Sequence, residues 1–326
     1  MEGHPRSCTE GTHFEIGQTV ADMSAFSRPS PRPNTLATAT LDRLSDRRSE
    51  QAWITEQWTA ETTVVQLLWR GTHAVEGDRC VPVRPTALPQ GLGDPIFLGH
   101  LGGVAHFGLD ASSLERDAIV SLVGDEAVMM SLRDGAAVLR ADDANLLAMT
   151  SGLVRWHTMH RFCGVCGSPT AVRAAGHERH CEACSTTTFP RTDPAVIMLV
   201  HDGDRAVLGR QKIWPRGMYS TLAGFVEPGE SLEDAVAREV FEEVGLRCES
   251  IHYSSSQPWP FPQSLMVGFH AKATTTELAV HPTELDDAQW FTREELAEAR
   301  SRRGFPIIPP PLTIARRLLD EWLDEA

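Results

Sequence analysis

Short apolar runs broken by Pro and Gly fill the first half of the chain. The runs at 62–70, 95–110 and 135–140 have the length of strands, and they predict a separate α+β domain. Residues 142–160 carry apolar side chains at helical spacing behind an aspartate cap, which predicts a helix that leads out of this domain. We find no catalytic set of residues before that helix, so we expect the domain to serve packing, dimerisation or substrate enclosure.

The second half of the chain alternates strand patterns with helix patterns. Residues 189–211 predict two strands joined by a turn at Asp202-Gly203, and residues 248–255 and 264–273 predict further strands. A capped short helix and an amphipathic helix close the chain. Strands with helices before and after them predict a helix-sheet-helix sandwich.

Between these strands, residues 232–244 predict a helix with a signal at each end. Ser231 with Asp234 three residues later is typical of an N-cap, and Gly245 is typical of a C-terminal stop. An aliphatic residue recurs at every fourth position and predicts the buried stripe Leu232, Val236, Val240 and Val244. Backbone groups in the turn before the helix, at Ala223, can face a phosphate or a metal.

Glutamates occupy a second face of this helix. Glu239 and Glu243 are four residues apart, and Glu242 is one position round. Carboxylates at this spacing suit Mg²⁺ or Mn²⁺, which bind hard oxygen ligands together with substrate phosphates. Like charges at i and i+4 destabilise a bare helix, so a bound metal is a reason to keep them there. The alternative is a solvated acidic face, the usual meaning of clustered glutamates.

Four of the seven cysteines form two C-x-x-C pairs, Cys163/Cys166 and Cys181/Cys184. This spacing indicates a metal site and not disulfides, and four thiolates would hold a closed, structural Zn²⁺. The segment between the pairs is too short for its own core, so the metal must supply the folding energy. RNA contact and redox exchange are the alternatives. A local basic patch supports the RNA role; it contains Arg155, His157, His160, Arg161, Arg173, His177, Arg179 and His180.

A proline-rich segment, SQPWPFPQS, occupies residues 256–264. Its prolines fix the backbone and present Trp259 and Phe261 as flat surfaces on which a base or a nicotinamide ring could stack. The alternative is a rigid turn whose two aromatic side chains simply join the core.

Composition adds limits. A chain of 326 residues predicts two or three domains, and a net charge of −14 disfavours indiscriminate nucleic-acid binding. The sequence indicates neither a membrane span nor a secretory signal, so the expected location is the cytoplasm. Residues 1–35 predict a poorly ordered extension. The other predicted boundaries are 36–158 for the N-terminal domain, 159–190 for the cysteine ribbon and 191–326 for the domain with the glutamates.

Residues 224–246 fit the pattern G-x5-E-x7-R-E-U-x-E-E-x-G-U, where U is aliphatic. The matching positions are Gly224, Glu230, Arg238, Glu239, Val240, Glu242, Glu243, Gly245 and Leu246. This segment resembles the Nudix box. Together with the four-cysteine ribbon and SQPWPFPQS, it is similar to the NADH pyrophosphatase subfamily, whose members also remove NAD caps from RNA. The resemblance implies an α/β Nudix sandwich with a mixed sheet, preceded by a zinc ribbon and a separate α+β domain.

The resemblance also implies roles for single residues. The ligands of a catalytic Mg²⁺ or Mn²⁺ would be Ala223, through its carbonyl, and Glu239, Glu243 and Glu284, and the position of Glu242 on the helix adds it to the set. Arg238 would orient these carboxylates. Substrate contacts would be Phe225, Gln257, Pro258, Trp259, Pro260, Phe261, Pro262, Gln263, Ser264 and Ala315. Phe189 stands where the family usually has tyrosine, so stacking there would survive and a hydroxyl contact would not. A homodimer is implied as well.

The implied reaction is metal-dependent hydrolysis of the diphosphate of NAD(H) to NMN(H) and AMP. Removal of NAD caps from RNA, giving NMN and 5′-monophosphate RNA, is the same chemistry on a longer substrate. Two alternatives stay open. A Nudix hydrolase of other nucleoside diphosphate derivatives, such as ADP-ribose, is disfavoured by the aromatic segment. A catalytically silent NAD- or RNA-binding sensor is disfavoured by the complete carboxylate set.

Overall fold

The structure is a computed structural model that describes residues 33–37, 40–302 and 304–325. Most of the predicted N-terminal extension, residues 1–32, lies outside the described residues. The described chain forms an N-terminal α+β part, a small sheet between the cysteines and a second α/β part, in that order. No helix within these ranges has both the length and the apolar character needed to cross a membrane.

The N-terminal part arranges two three-stranded sheets around a long helix. Its elements are α1 (Gln51–Thr59), β1 (Val64–Leu68), β2 (Thr72–Glu76), β3 (Arg79–Cys80), β4 (Ile96–Leu101), β5 (Val104–Asp110), α2 (Arg116–Val123), β6 (Val128–Ser131), α3 (Leu132–Gly135) and α4 (Ala141–Met159). In one sheet, β5 lies parallel to β1 and antiparallel to β4; in the other, β2 lies between antiparallel β3 and β6. The ring centres of Phe97 and Phe107 lie 5.2 Å apart in the core between these elements.

The predicted strand at 135–140 is wrong. The Ser131 side chain accepts a hydrogen bond from the Asp134 amide and starts the short helix α3. The following amides bond to carbonyls three or four residues earlier, as Ala136 does to Leu132. A capping serine in front of the run therefore overrides its strand-like composition.

The helix predicted at 142–160 forms as α4, but no aspartate caps it. The N-cap position is Arg140, whose side chain makes no capping bond. Asp143 is buried and instead pairs with Arg79 at 2.6 Å and accepts a hydrogen bond from the Cys80 thiol at 3.3 Å. The aspartate therefore ties α4 to β3 and leaves the first amides of the helix to other partners.

A buried histidine on β2 is held by two hydrogen bonds. His73 donates from Nδ1 to the Leu67 carbonyl and accepts at Nε2 from the Ser151 hydroxyl, both at 2.8 Å. Burial lowers the pKa of His73 from 6.5 to about 4. Between these two values the unfolded chain binds a proton that the folded chain excludes. Acidification through this window should therefore reduce stability by about 1.4 kcal/mol per pH unit.

Unfolding measured at a series of pH values between about 7 and about 4.5 checks this expectation. The His73→Gln variant cannot take up the proton, so it should lose less stability on acidification than the wild type. His106 and His177, whose pKa values burial also lowers to about 4, should keep part of the slope. The matched control is His252→Gln, at an exposed histidine. Equal pH slopes for His73→Gln and the wild type would contradict the prediction.

The two cysteine pairs alternate along the chain with the strands of a small antiparallel sheet. Its strands are β7 (Ala171–Arg173), β8 (Glu178–His180) and β9 (Thr187–Thr188), with β8 in the middle. One cysteine pair precedes β7, and the other lies between β8 and β9. Strands this short bury little apolar surface, so a metal remains the expected source of stability for this ribbon.

The second α/β part is a mixed sheet between helices, which confirms the predicted sandwich. Its elements are β10 (Asp193–His201), β11 (Arg205–Arg210), β12 (Leu222–Phe225), α5 (Leu232–Val244), β13 (Cys248–Trp259), β14 (Ser264–Ala273), β15 (Asp287–Thr292), α6 (Arg293–Ser301) and α7 (Ile314–Asp324). The strand order is β13-β14-β10-β11-β15, with β12 also paired to β10. Among the paired strands of this sheet in the described ranges, β10 and β14 are parallel and the other pairs are antiparallel.

Both faces of β10 are covered. Val196, Met198 and Val200 pack in the cluster that contains α5. Ile197 and Leu199 pack on the opposite face, in the cluster that contains α7. A strand buried on both faces is a continuous apolar run in the sequence, as observed here.

The proline-rich segment is less of a loop than predicted. β13 continues to Trp259, so only residues 260–263 form the turn to β14. Pro258 is tolerated within β13 because this strand is at the edge of the sheet, where one side of the backbone has no ladder partner.

Candidate active site

The helix that carries the glutamates forms as predicted. α5 spans Leu232–Val244, the Ser231 side chain accepts from the Asp234 amide at 3.1 Å, and Gly245 ends the helix at φ 73°. Its fully buried residues include Val236, Val240 and Val244. This stripe anchors α5 on the sheet and leaves Glu239 and Glu243 next to β12.

Close contact between β12 and α5 requires glycine at position 224. A β-carbon on Gly224 would lie 1.8 Å from Cδ of Glu239. No side chain fits there unless the carboxylate moves, which explains the glycine at the start of the motif. Glu239 is therefore held directly against the backbone of the strand.

Glu243 is the buried carboxyl of the site. It is 7% exposed, and no described residue donates a hydrogen bond to its Oε2. Burial raises the pKa of Glu243 to about 8; the charges of Glu239 and Glu284 add to the rise, and a backbone hydrogen bond from Ala223 opposes it. Burial also raises the pKa of Glu239. A buried carboxylate oxygen without a partner favours a nearby cation.

Arg238 connects the glutamates of the motif. Its guanidinium donates to Glu230 at 2.6 Å and to both Glu239 and Glu242 at 2.9 Å. It also donates to the Phe225 carbonyl on β12 at 2.9 Å. The hydrogen bonds from Arg238 hold the pKa of Glu230 down at about 2. Arg238 thus contacts three glutamates of the motif and the backbone of β12.

The carboxylates suit a hard divalent cation by their chemistry and by the unpartnered Oε2 of Glu243. Glu284 lies in an exposed turn, close enough for its charge to raise the pKa values of Glu239 and Glu243. Over the described ranges, however, only the four cysteines bring three or more acidic, His or Cys ligands within reach of one ion. The glutamates would have to close around a cation, with substrate phosphates supplying further oxygens.

A cavity of about 320 Å³ lies beside Glu243. Four predicted site residues line it together with Glu243: Ala223, Gln257, Trp259 and Ala315. Most of the remaining wall is apolar; it comes chiefly from the segment between β11 and β12, which includes Trp214 and Met218, and from the segment before α7, with single residues of β10, β12 and β14. An apolar cavity with carboxylates at one end suits a ligand that joins a ring to a charged group.

The other predicted contacts do not line this cavity. Phe189 and Phe225 are 60% and 59% exposed. The remaining residues form the end of β13, the turn and the start of β14; they are Pro258, Pro260, Phe261, Pro262, Gln263 and Ser264. The Gln263 amide donates to Asp193 at 2.8 Å and fixes this turn to β10.

Gln257 is fully buried and makes structural contacts. Its side-chain amide donates to the Leu312 carbonyl at 2.8 Å and to the Thr35 carbonyl at 3.1 Å. Its oxygen accepts from the Ile314 amide at 2.8 Å. Gln257 therefore fixes the start of α7, and with it Ala315 at the cavity wall.

Sequence reasoning missed Arg133. This residue lies on α3 of the N-terminal part and lines the cavity beside Glu243. Its guanidinium carbon lies 5.3 Å from the ring centre of Trp259 and 4.8 Å from that of Phe261. The two rings meet edge to face at 5.0 Å. No local signal identifies an arginine whose partners are so distant in sequence.

The four cysteines meet as a four-thiolate metal site requires. The Sγ atoms of Cys163, Cys166, Cys181 and Cys184 all lie within 4.8 Å of one another. Cys163 and Cys184 are 3.6 Å apart, and Cys166 and Cys181 are 3.4 Å apart. Tetrahedral Zn–S bonds of about 2.3 Å place sulfurs about 3.8 Å apart, so the set fits Zn²⁺. Four protein ligands leave no open position, and the zinc is structural.

Family models match three successive segments of the chain. The NADH pyrophosphatase-like rudimentary NUDIX domain matches residues 62–156, the NADH pyrophosphatase zinc ribbon domain matches 159–189, and the NUDIX domain matches 191–309. The sandwich, the glutamate helix and the ribbon define the class of protein: the chain belongs to the Nudix hydrolase family, in its NADH pyrophosphatase branch.

Three relatives show how far the similarity extends. The chain is 41% identical to the NAD(P)H pyrophosphatase NUDT13, mitochondrial, of Homo sapiens, over 70% of this chain and 68% of that protein. It is 40% identical to the NAD-capped RNA hydrolase NudC of Mycobacterium bovis, over 70% of this chain and 75% of that protein. It is 42% identical to the NAD-capped RNA hydrolase NUDT12 of Macaca fascicularis, over 57% of this chain and 43% of that protein. The match thus spans less than half of NUDT12.

Proposed function

We propose that the protein hydrolyses the diphosphate of NAD(H) to NMN(H) and AMP. We also propose that it removes NAD caps from RNA 5′ ends, leaving NMN and 5′-monophosphate RNA. The observation that carries the proposal is the buried Glu243 carboxyl at a cavity whose wall includes Trp259. The relatives support these substrates, because one is named an NAD(P)H pyrophosphatase and two are named NAD-capped RNA hydrolases.

The proposed mechanism assigns separate tasks to the residues of the site. Ala223, through its carbonyl, and Glu239, Glu242, Glu243 and Glu284 would hold Mg²⁺ or Mn²⁺. When bound, the cation neutralises phosphate charge and activates the attacking water. Arg238 orients the carboxylates through its hydrogen bonds to Glu239 and Glu242. The mostly apolar cavity limits water around the bound ring, and Arg133 adds one positive charge to its wall.

Rates measured side by side on NADH, NAD, ADP-ribose and NAD-capped RNA, each with Mg²⁺ and with Mn²⁺, test the substrate. Hydrolysis of NADH and of the RNA cap should exceed hydrolysis of ADP-ribose, because Trp259 offers a flat surface to a second ring. Equal rates on all four substrates would contradict the proposed role of the aromatic segment in substrate selection. Absence of hydrolysis with either metal would favour the silent sensor.

Replacing Arg133 with glutamine should raise KM for NADH by about 10-fold with little change in kcat. The reason is that the variant loses one charge-assisted hydrogen bond to a phosphate, worth about 1.5 kcal/mol. Steady-state kinetics measure the two constants. Arg116→Gln, at an exposed arginine on α2, is the matched control. An unchanged KM in Arg133→Gln would show that Arg133 packs against Trp259 and Phe261 without binding a substrate phosphate.

We also propose that the protein is a homodimer in the cytoplasm. Exposed apolar side chains in the ribbon support self-association, since Phe162 and Val165 are 66% and 75% exposed. A fully active, monodisperse monomer by light scattering would refute the dimer. Cell fractionation tests the location.

A further inference from the structure

A second cavity, of about 830 Å³, lies where the end of α4 meets the ribbon and the sheet formed by β1, β4 and β5. It shares no lining residue with the cavity beside Glu243. Its wall includes Ile96 from β4, Val154 from α4 and Val172 from β7. The cavity is therefore a separate feature, with apolar surface supplied by three parts of the fold.

Three arginines line this cavity: Arg155, Arg161 and Arg179. Within the described part of the chain, none of them forms an ion pair. Arg155 is exposed, whereas Arg179 is only 8% exposed. Burial of a guanidinium without a carboxylate partner costs desolvation free energy, which hydrogen bonds to neutral groups offset only in part.

Neutral groups hold Arg179 in place. Its Nε donates to the Thr170 hydroxyl at 2.7 Å, and Nη2 donates to the Thr170 carbonyl at 2.9 Å. Nη1 donates to Nδ1 of His157 at 3.0 Å, while Nε2 of His157 donates to the Gly176 carbonyl at 2.8 Å. Because a guanidinium has five N–H groups, one N–H on each terminal nitrogen of Arg179 is left for a ligand. These contacts fix the orientation of Arg179 without a direct carboxylate contact.

Two aspartates oppose the arginines. Asp94 is exposed, and Asp110 accepts a hydrogen bond from the Ser112 amide at 2.9 Å. Three arginines against two aspartates leave the cavity positive, although the whole chain carries a net charge of −14. Guanidinium groups bind phosphate oxygens in a bidentate way, and an apolar wall accepts a base or a ribose.

We propose that this cavity is a second, noncatalytic site for a nucleotide phosphate, with the phosphate against Arg155, Arg161 and Arg179. The phosphate belongs either to a free mononucleotide or to the phosphodiester backbone of RNA. Both sources present anionic phosphate oxygens to the arginines. The inference does not rest on the proposed function, because binding here requires no hydrolysis.

Two probes distinguish the sources. A fluorescent RNA dodecamer with a 5′-hydroxyl carries no terminal diphosphate for the catalytic cavity, and its binding is measured by anisotropy. AMP binding is measured by calorimetry without a divalent cation, because AMP is also a proposed product of the cavity beside Glu243. The Arg155→Gln/Arg161→Gln variant should bind its ligand at least about 10-fold more weakly than the wild type. For RNA, the slope of log affinity against log salt should also fall by about 1.4, which is about 0.7 for each lost phosphate contact.

The controls test the sign of the charge effect. Asp94→Asn should tighten binding, and Arg116→Gln, outside the cavity, should leave it unchanged. Zinc content and thermal unfolding identify a folding defect; in that case the exposed single variant Arg155→Gln replaces the double variant. Arginine-dependent binding of RNA identifies the phosphodiester as the ligand, and arginine-dependent binding of AMP alone identifies the free nucleotide. Failure of both probes to bind, or equal affinity of wild type and arginine variant, overturns the proposal.

Discussion

Replacing Glu243 with glutamine is expected to lower kcat for NADH by about 10²- to 10⁴-fold and to leave the fold intact. Glutamine has the shape of glutamate but lacks the negative charge that a divalent cation requires. The carboxyl is 7% exposed, and its burial already disfavours the ionised form when no cation is bound. The neutral side chain should therefore not destabilise the fold, and the loss should be confined to metal binding and turnover.

Calorimetric titration with Mn²⁺ and steady-state kinetics measure these two effects on the same sample. The matched control is Glu233→Gln, at an exposed glutamate in the first turn of α5. It removes the same charge from the same helix and should leave kcat and metal affinity unchanged. Near-normal turnover by Glu243→Gln would contradict the assignment of the catalytic cation to α5 and would therefore contradict the proposed mechanism.

Helix α5 could be predicted from sequence because all its determinants are local. The Ser231 cap, the Gly245 stop and the valine stripe lie within one short segment, and the helix forms between the predicted ends. The turn at Asp202-Gly203 between β10 and β11 could also be predicted, because its sequence signal is local. The position of Glu239 and Glu243 on the face next to the buried stripe follows from helical periodicity.

The features that sequence reasoning missed depend on distant partners. Gln257 was predicted as a substrate contact and does line the cavity, but its hydrogen bonds to Leu312 and Ile314 were not predicted, because they form only when α7 packs beside β13. Arg133 reaches Trp259 from another part of the fold, and no local pattern indicates that approach. These contacts decide which side chains line the cavity, so its wall could be predicted less well than its carboxylates.

Replacing Cys181 with serine is expected to have the largest effect on stability. Cys181 is fully buried, and its Sγ lies 3.4 Å from that of Cys166. The variant loses one of four thiolates from a site whose metal contributes about 10 to 16 kcal/mol in zinc-finger peptides. Strands β7, β8 and β9, of two or three residues each, cannot replace that contribution. Zinc per chain should fall from about one to near zero, and proteases should cleave within 163–184.

Metal analysis and limited proteolysis measure this result, with Cys248→Ser as the control because its thiol lies on β13, outside the ribbon. The mixed sheet has its own buried clusters on both faces, so it should stay folded when the ribbon does not. NADH hydrolysis should therefore fall much less than zinc content. Full zinc content in Cys181→Ser would contradict the four-thiolate site. Complete loss of hydrolysis by a variant whose ribbon still resists proteolysis would contradict the structural role of the metal.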